Sequence, residues 1–498
     1  MTDFTSQRRA GLPKLLLILL GLDALLTWPF LFQGPAEMDT LRYALGLHRW
    51  VGGQEALSTL FNAEMSFGYY LGLNIWQRAF DSTLASLPDL LNRVSALSGI
   101  LCVGAFFMWW RRWWDERVAF RLTLLLIATP AFWSLQLYGN TNVAGLALAA
   151  LAVSLLPSAE VDRGRAVRWL AVWVLGTAAL TVRTDVLMIA PAVLAYLVWG
   201  RDRPSAKSTV VAGAGCVLTF FLLRLFVLDS PSGGGAFLRH WDSNLSLSDP
   251  AWIGRTVSLN VVSLVTESPP LTLLVSGLCF LAIRGRDGRS VRWTTLLWLS
   301  PALLFLAFTR VHVARILIPL LPAALLPLAY WASLSRRRDL LLAIVVVLSH
   351  VSMMFLPGLE KRLGRASAGT GRVSHYLSHQ GMFRDHLAIQ NDTTELIEDG
   401  TALLREEGDG RRAVVVIGGD VLIYEYLLLV AHPGTMTESI SQSYGVQLRT
   451  ANVPGWDHPW YFLYPRWDRD PEEILGSAGV PAETLRHFTP WEKRARGL

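Results

Sequence analysis

A multi-pass α-helical membrane protein of about eleven spans, followed by a C-terminal external α/β domain, is the fold class this sequence predicts. Three observations lead there. The 498 residues are 52% hydrophobic and 17% charged, with a mean hydropathy of +0.36, against about 25% charged residues in soluble domains. Long apolar runs recur as far as position 356 and then stop; runs near twenty residues read as spanning helices. Basic residues gather in alternate short loops.

The expected spans are 13–32, 95–110, 119–138, 142–157, 167–182, 186–200, 208–228, 271–283, 293–309, 316–334 and 340–356. The first is too long for a signal peptide and lacks a small-residue cleavage site, so it reads as a retained span. Alternate loops carry twenty Lys and Arg, including Arg111, Arg112, Arg117 and Arg121, then Arg284, Arg286, Arg289 and Arg292. The much longer intervening loops carry nine. Positive loops stay cytoplasmic, so the N-terminus is expected inside and the C-terminus outside. The same distribution turns the net charge of +6 and pI near 9.3 away from nucleic acid and toward membrane topology. Cys102, Cys216 and Cys279 all fall in expected spans, which excludes a disulfide framework or a cysteine zinc site in the external C-terminal part. The cluster "FFMWWRRWW" (106–114) fits an interfacial aromatic belt.

The expected domains are a transmembrane domain over 1–356, including a first external loop at 33–94, and an external soluble α/β domain over 357–498. In the latter, 386–408 has helical spacing, "AVVVIGG" (413–419) is a buried-strand run, and 420–434 reads as a helix closed by Pro433-Gly434. The "IGGD" stretch lacks the glycine spacing and the lysine of a phosphate loop. A second long external loop, 229–270, contains three consecutive glycines.

Polar groups collect on the expected outer face. Glu37, Asp39 and Glu64 lie in the first loop; Arg183 and Asp185 join two spans; Arg310, His312 and Arg315 precede a late one. Arginine holds phosphate with paired donors, and a carboxylate can take a proton from an acceptor hydroxyl. Bland readings stand beside these. Asp39 precedes "TLRYALGLHRWV", whose Leu41, Ala44, Leu45 and Val51 share a helical face, so it can be the N-cap of an interfacial helix ending at Gly52-Gly53. Glu37 and Glu64 can be solvated loop acids, Arg183 and Asp185 can pair with each other, and Arg315 can anchor a helix end at headgroups. Asp23 and Arg224 lie within spans, where ionisable groups are functional suspects. Glu37, Asp39 and Glu64 also offer oxygen ligands of the kind magnesium or manganese prefers.

Four motifs, in this order and on one side of the membrane, carry a resemblance: "EMDTLRY" (37–43), "SFGYYLGL" (66–73), "RTDVLMIAP" (183–191) and "HVARILIPLLPAALLPLAY" (312–330). The chain resembles the GT-C superfamily of membrane glycosyltransferases, in particular the branch of protein O-mannosyltransferases and the bacterial aminoarabinose transferase. The likeness covers residues 13–335 in layout. It departs where many relatives carry an acid between the third and fourth spans and this chain has Asn140 and Asn142, and where the usual Asp-Glu pair is "EMD". The resemblance implies a GT-C-like fold and an inverting transfer of sugar from a polyprenyl-phosphate lipid to a cell-envelope glycan, lipid or protein, at the external face of the plasma membrane. Asp39, or Glu37, is then the catalytic acid residue. Arg183, His312 and Arg315 hold the donor phosphate, and Glu64, Tyr69 and Tyr43 contact substrate. Two other classes stay open: a polysaccharide polymerase or O-antigen ligase, and a multi-pass lipid or solute transporter, which predicts broken helices and charges at mid-depth.

Overall fold

The computed structural model describes residues 3–35, 38–54, 67–158, 164–227, 270–308, 318–351, 384–418, 421–443, 446–464, 471–480 and 485–488. Its contacts divide the chain into two compact units, Met1–Leu31 with Arg93–His386 and Phe32–Asn92 with Leu387–Leu498. The second unit thus joins residues 32–92 to the C-terminal segment.

The first unit is a helical bundle. Its helices are α1 (Asp3–Thr27), most of α4 (Leu87–Trp113), α5 (Glu116–Ile127), α6 (Pro130–Leu137), α7 (Thr141–Ser154), α8 (Arg165–Val182), α9 (Ala190–Trp199), α10 (Ala206–Val227), α11 (Pro270–Ala282), α12 (Gly285–Phe308) and α13 (Leu321–Ser333), with a further helix at 337–351. Among the described residues, Leu84–Trp113, Arg165–Val182 and Ala206–Arg224 are each long and apolar enough to cross a membrane. The segment expected as one span over 119–138 is two helices, α5 and α6, bent by 62°. The break falls at Pro130, which cannot donate to a continuing helix. The multi-pass character holds, while the number eleven does not follow from these lengths, because several apolar helices are shorter than a full span.

The aromatic cluster on α4 is not an interfacial belt. Phe106, Trp109, Trp110 and Trp113 follow i, i+3, i+4, i+7 spacing and are all buried. Trp109 and Trp113 pack against Trp298 of α12 at 5.9 and 6.2 Å and against Tyr196 of α9 at 6.1 and 5.6 Å. The rings are the mortar between three helices.

Asp23 is wholly buried and accepts a hydrogen bond from Gln136 Nε2 (3.2 Å), whose Oε1 accepts from Thr27 Oγ1 (3.3 Å). The amide thus ties α1 to α6 just past the bend. It fits only because position 99 of α4 is glycine: a Cβ there would lie 2.2 Å from Gln136 Oε1.

The second unit contains α2 (Met38–Val51), α3 (Phe67–Ala79), most of α14 (Arg384–Glu406), β1 (Val414–Ile417), α15 (Val421–Ala431), β2 (Met436–Ser443), β3 (Val446–Asn452), β4 (Trp460–Tyr464), α16 (Pro471–Ser477) and β5 (Leu485–Phe488). The strands form one sheet in the order β2-β3-β4-β1-β5. β1 runs parallel to both neighbours, and β2, β3 and β4 are antiparallel, with an irregularity between Ser439 and Ser441. The all-apolar β1 is covered on both faces, as a central parallel strand requires. Val414 and Val416 join a core with α15, and Val415 and Ile417 one with Ile474 and Leu475 of α16. The expected C-terminal α/β arrangement is present.

Substituting Gly99→Ala is expected to displace Gln136 and lower the stability of the helical bundle by about 1–3 kcal/mol, the usual cost of overpacking. Thermal unfolding of the purified protein in detergent measures it, and an unchanged midpoint would contradict the pinned amide.

Candidate functional site

The helix α2 begins at Met38, so Asp39 sits inside its first turn rather than at the N-cap. A carboxylate there is favoured by the amino-terminal end of the helix dipole. Asp39 is described through its backbone only. Tyr43 follows four residues later, on the same side of the helix. It is buried and meets Tyr69 of α3 edge-to-face at 4.9 Å and Tyr70 at 5.8 Å. The structure therefore brings together Tyr43 and Tyr69 from two separate sequence motifs.

The opposite face of α2 is occupied by protein, not lipid. Leu41 and Leu45 belong to the same core as β1 and α15. Val51, expected on that face, is exposed. Arg49, 2% exposed, donates through Nη2 to Oε1 of Glu425 on α15, which is 1% exposed. Arg449 of β3 lies 3.7 Å from the other carboxylate oxygen. Thr437 Oγ1 donates to Gln54 Oε1 (2.9 Å), and Tyr426 Oη to the Ala85 carbonyl (3.0 Å). Burial first, and the Asp89 charge second, push the Tyr426 hydroxyl up to about 12, so it stays a donor. The segment entering α2 is pinned as well, with Gly34 N–H donating to Asp89 Oδ1 (2.5 Å) and Asn92 Nδ2 to the carbonyls of Phe32 and Gly34 (both 3.0 Å). Sequence reasoning passed over Glu425, although a single acid inside "VLIYEYLLLVA" is a signal that a buried cation waits for it. His48, beside Arg49, is held below the usual imidazole range by burial and then by the Arg49 charge.

In the helical bundle, Arg183 caps the end of α8. Its Nε is 2.9 and 3.0 Å from the two Asp185 oxygens, its Nη2 2.8 Å from Oδ2, and its Nη1 donates to Thr141 Oγ1 at 3.0 Å. The bidentate Arg–Asp pairing weighed from the sequence is thus present, and Asp185 fixes the guanidinium plane. Thr141 opens α7, whose N-cap is Asn140: its Oδ1 accepts from the N–H groups of Asn142 (2.9 Å) and Val143 (3.3 Å). Asn140, where the resemblance implies an acid, is used as a cap. Asn142 is also buried, with no partner for its Oδ1.

Glu37, Glu64, His312 and Arg315 lie outside the described residues, as do Arg310 and nearly all of the 229–270 loop. Among the described residues no three His, Cys, Asp or Glu converge on a metal position.

The helical unit thus carries an Arg-x-Asp helix junction, and the α/β unit carries an acid in the first turn of α2. Residues 90–226 match the family described as dolichyl-phosphate-mannose-protein mannosyltransferase, which bears out the resemblance to that branch. Among solved structures, the chain is similar to ArnT from Cupriavidus metallidurans bound to undecaprenyl phosphate, with 15% identity, a TM-score of 0.49, and 78% of this chain and 72% of that one covered. It is similar also to the apo state of the same protein, with 16% identity, a TM-score of 0.47, and coverage of 80% and 72%. No curated protein matches the chain.

Glu425→Ala leaves Arg49 as an unpaired buried cation and is expected to cost the second unit about 3–5 kcal/mol, while the Arg49→Met, Glu425→Met double substitution restores most of it. Protease sensitivity of α2 and α15 across a urea series distinguishes the two. A separate expectation concerns acid. The folded state holds His48 neutral, so the unfolded chain binds the extra proton, and stability falls as pH drops below about 6.5. Urea midpoints at pH 7.5 and 5.5 should differ less in His48→Gln than in wild type.

Proposed function

We propose that the protein is an inverting glycosyltransferase that moves a sugar from a polyprenyl-phosphate lipid to a cell-envelope acceptor on the external face of the plasma membrane. The observation that carries this reading is the match of residues 90–226 to a family described by a lipid-phosphate sugar donor. The arrangement of loops supports eleven spans, with the N-terminus inside and the C-terminal unit outside.

The acceptor hydroxyl attacks the anomeric carbon as the Asp39 carboxylate takes its proton. The bond from that carbon to the lipid phosphate oxygen breaks, and the polyprenyl phosphate leaves with the electron pair. Attack from the face opposite the leaving group inverts the sugar. Arg183, His312 and Arg315 stabilise the phosphate charge, with Arg183 presented in a fixed plane by Asp185. Glu37 is the neighbouring acid, and Glu64, Tyr43 and Tyr69 shape the acceptor side. Glu37, Asp39 and Glu64 can also ligate magnesium or manganese, a use that a chelator added to the transfer assay separates from direct proton transfer.

A transporter is the second reading, favoured by the break between α5 and α6 and by Asp23 buried against Gln136 beyond it. The same substitution series separates the two. In membranes supplied with a panel of radiolabelled polyprenyl-phosphate sugars, Asp39→Asn at matched expression is expected to lower transfer by about 10²–10⁴-fold, the usual weight of a general base, while Asp23→Asn leaves it within a few-fold. No transfer from any donor, even by the wild type, would point to transport.

A further inference from the structure

Where α11 turns into α12, a cavity of about 670 Å³ is lined by Leu281, Arg284, Gly285, Arg286, Arg289 and Arg292. The four arginines come from the turn and the first two turns of α12. Gly285, at φ +87, makes the tight entry possible. Some other arginines of the basic loops are engaged by protein. Arg112 Nε lies 2.8 Å from Asp202 Oδ2, Arg121 grips Asp339 at 2.6 and 2.9 Å, and Arg338 lies over Trp331 at 4.5 Å. Among the described residues, none of the four cavity arginines has an ion pair or hydrogen bond. Asp287, in the first turn of α12, offsets one of their charges and leaves three. The amino-terminal end of α12 adds its own preference for an anion.

The cavity also continues into an apolar stripe. Leu274, Leu278 and Leu281 follow i, i+4, i+7 on α11 and are 61%, 58% and 69% exposed, and Leu281 lines the cavity itself. A ligand whose phosphates sit among the arginines thus has a surface for hydrocarbon chains leading directly away from them. A soluble phosphate would use the first feature only.

We propose that this cavity binds the headgroup of an anionic phospholipid carrying two phosphates, with its acyl chains along the exposed leucines of α11. Arg286 and Arg289 reach the phosphates with paired donors, while Arg284 and Arg292 close the two ends. The site depends on neither the transferase nor the transport reading, and it lies on the side of the membrane where the basic loops gather.

The full-length protein, delipidated in detergent, is incubated with an equimolar mixture of cardiolipin and phosphatidylcholine, and retained lipid is counted by native mass spectrometry. Cardiolipin is expected to be retained at least tenfold over phosphatidylcholine. Arg286→Gln with Arg289→Gln should lose that preference, while Arg336→Gln with Arg337→Gln, in another basic loop, should keep it. Equal loss in both pairs would mean diffuse loop charge and would overturn the proposal. So would a wild type that shows no preference for cardiolipin, a result that needs no variant to fold. In a third arm, inorganic pyrophosphate at millimolar concentration competes with cardiolipin. Full displacement would identify a soluble-phosphate site and refute the lipid reading; retention supports it.

Discussion

The second unit is organised by one buried constraint: an arginine on a helix near the start of the chain must find a carboxylate close to its end. Arg49 and Glu425 are 376 residues apart in sequence and both almost fully buried. Neither charge can be left alone at that depth, since removing an ion from water costs several kcal/mol unless it is paired and hydrogen-bonded. The pair is weak as a source of net stability and strong as a specifier. It permits one rotation of α2 about its own axis and one seat against α15, because any slip leaves two buried ions without partners. Apolar burial then supplies the stabilisation. Leu41 and Leu45 enter the core formed with Val414, Val416 and Trp460, at roughly 25 cal/mol for each Å² withdrawn from water.

The helical bundle solves a different problem. In an apolar environment helices gain little from merely excluding water, so association rests on packing and on polar ties. The stacked Phe106, Trp109, Trp110 and Trp113 give α4 a broad rigid face, and Trp298 and Tyr196 lock into it. The polar tie is Gln136, which donates to Oδ1 of Asp23 and accepts from Thr27, while Oδ2 of Asp23 is buried without a partner. It does so from α6, the short helix after Pro130, whose direction differs by 62° from that of α5. A straight helix would carry Gln136 elsewhere, so the proline and the buried acid belong to one device.

The membrane class and the α/β character of the C-terminal part were legible because both rest on local pattern: apolar run length, and a strand of consecutive valines followed by an apolar helix. The tryptophan cluster was misread because residue type alone does not separate an aromatic belt from an aromatic core; the 106/109/110/113 spacing, a single helical face, was the better signal. The partner of α2 was illegible for a physical reason. An amphipathic helix beside an apolar span has two available apolar media, lipid and protein, and the periodicity is identical for both. Only the coincidence of a cation on its flank, Arg49, with a lone acid in the apolar helix 421–431 distinguishes them. At the candidate site, the Tyr43–Tyr69 contact joins two motifs far apart in sequence and was not legible from either, while the Arg183–Asp185 pairing could be weighed from spacing but not decided.

That choice of medium bears on what Asp39 can do. At about 100° per residue, Leu41 and Leu45 lie within about 40° of each other, and Asp39 and Tyr43 form a second pair on the far side of the same helix. A helix lying on lipid rolls and dips with the bilayer surface, and an acid on its upper face moves with it. A helix whose lower face is a protein core and whose flank holds a buried ion pair has no such freedom. Its other face is positioned to the tolerance of the core, which the proposed proton transfer to Asp39 would demand, since a displacement near 1 Å costs about two orders of magnitude in rate. On the proposed mechanism, the core shared by α2, β1 and α15 would make the backbone that carries Asp39 and Tyr43 a fixed surface.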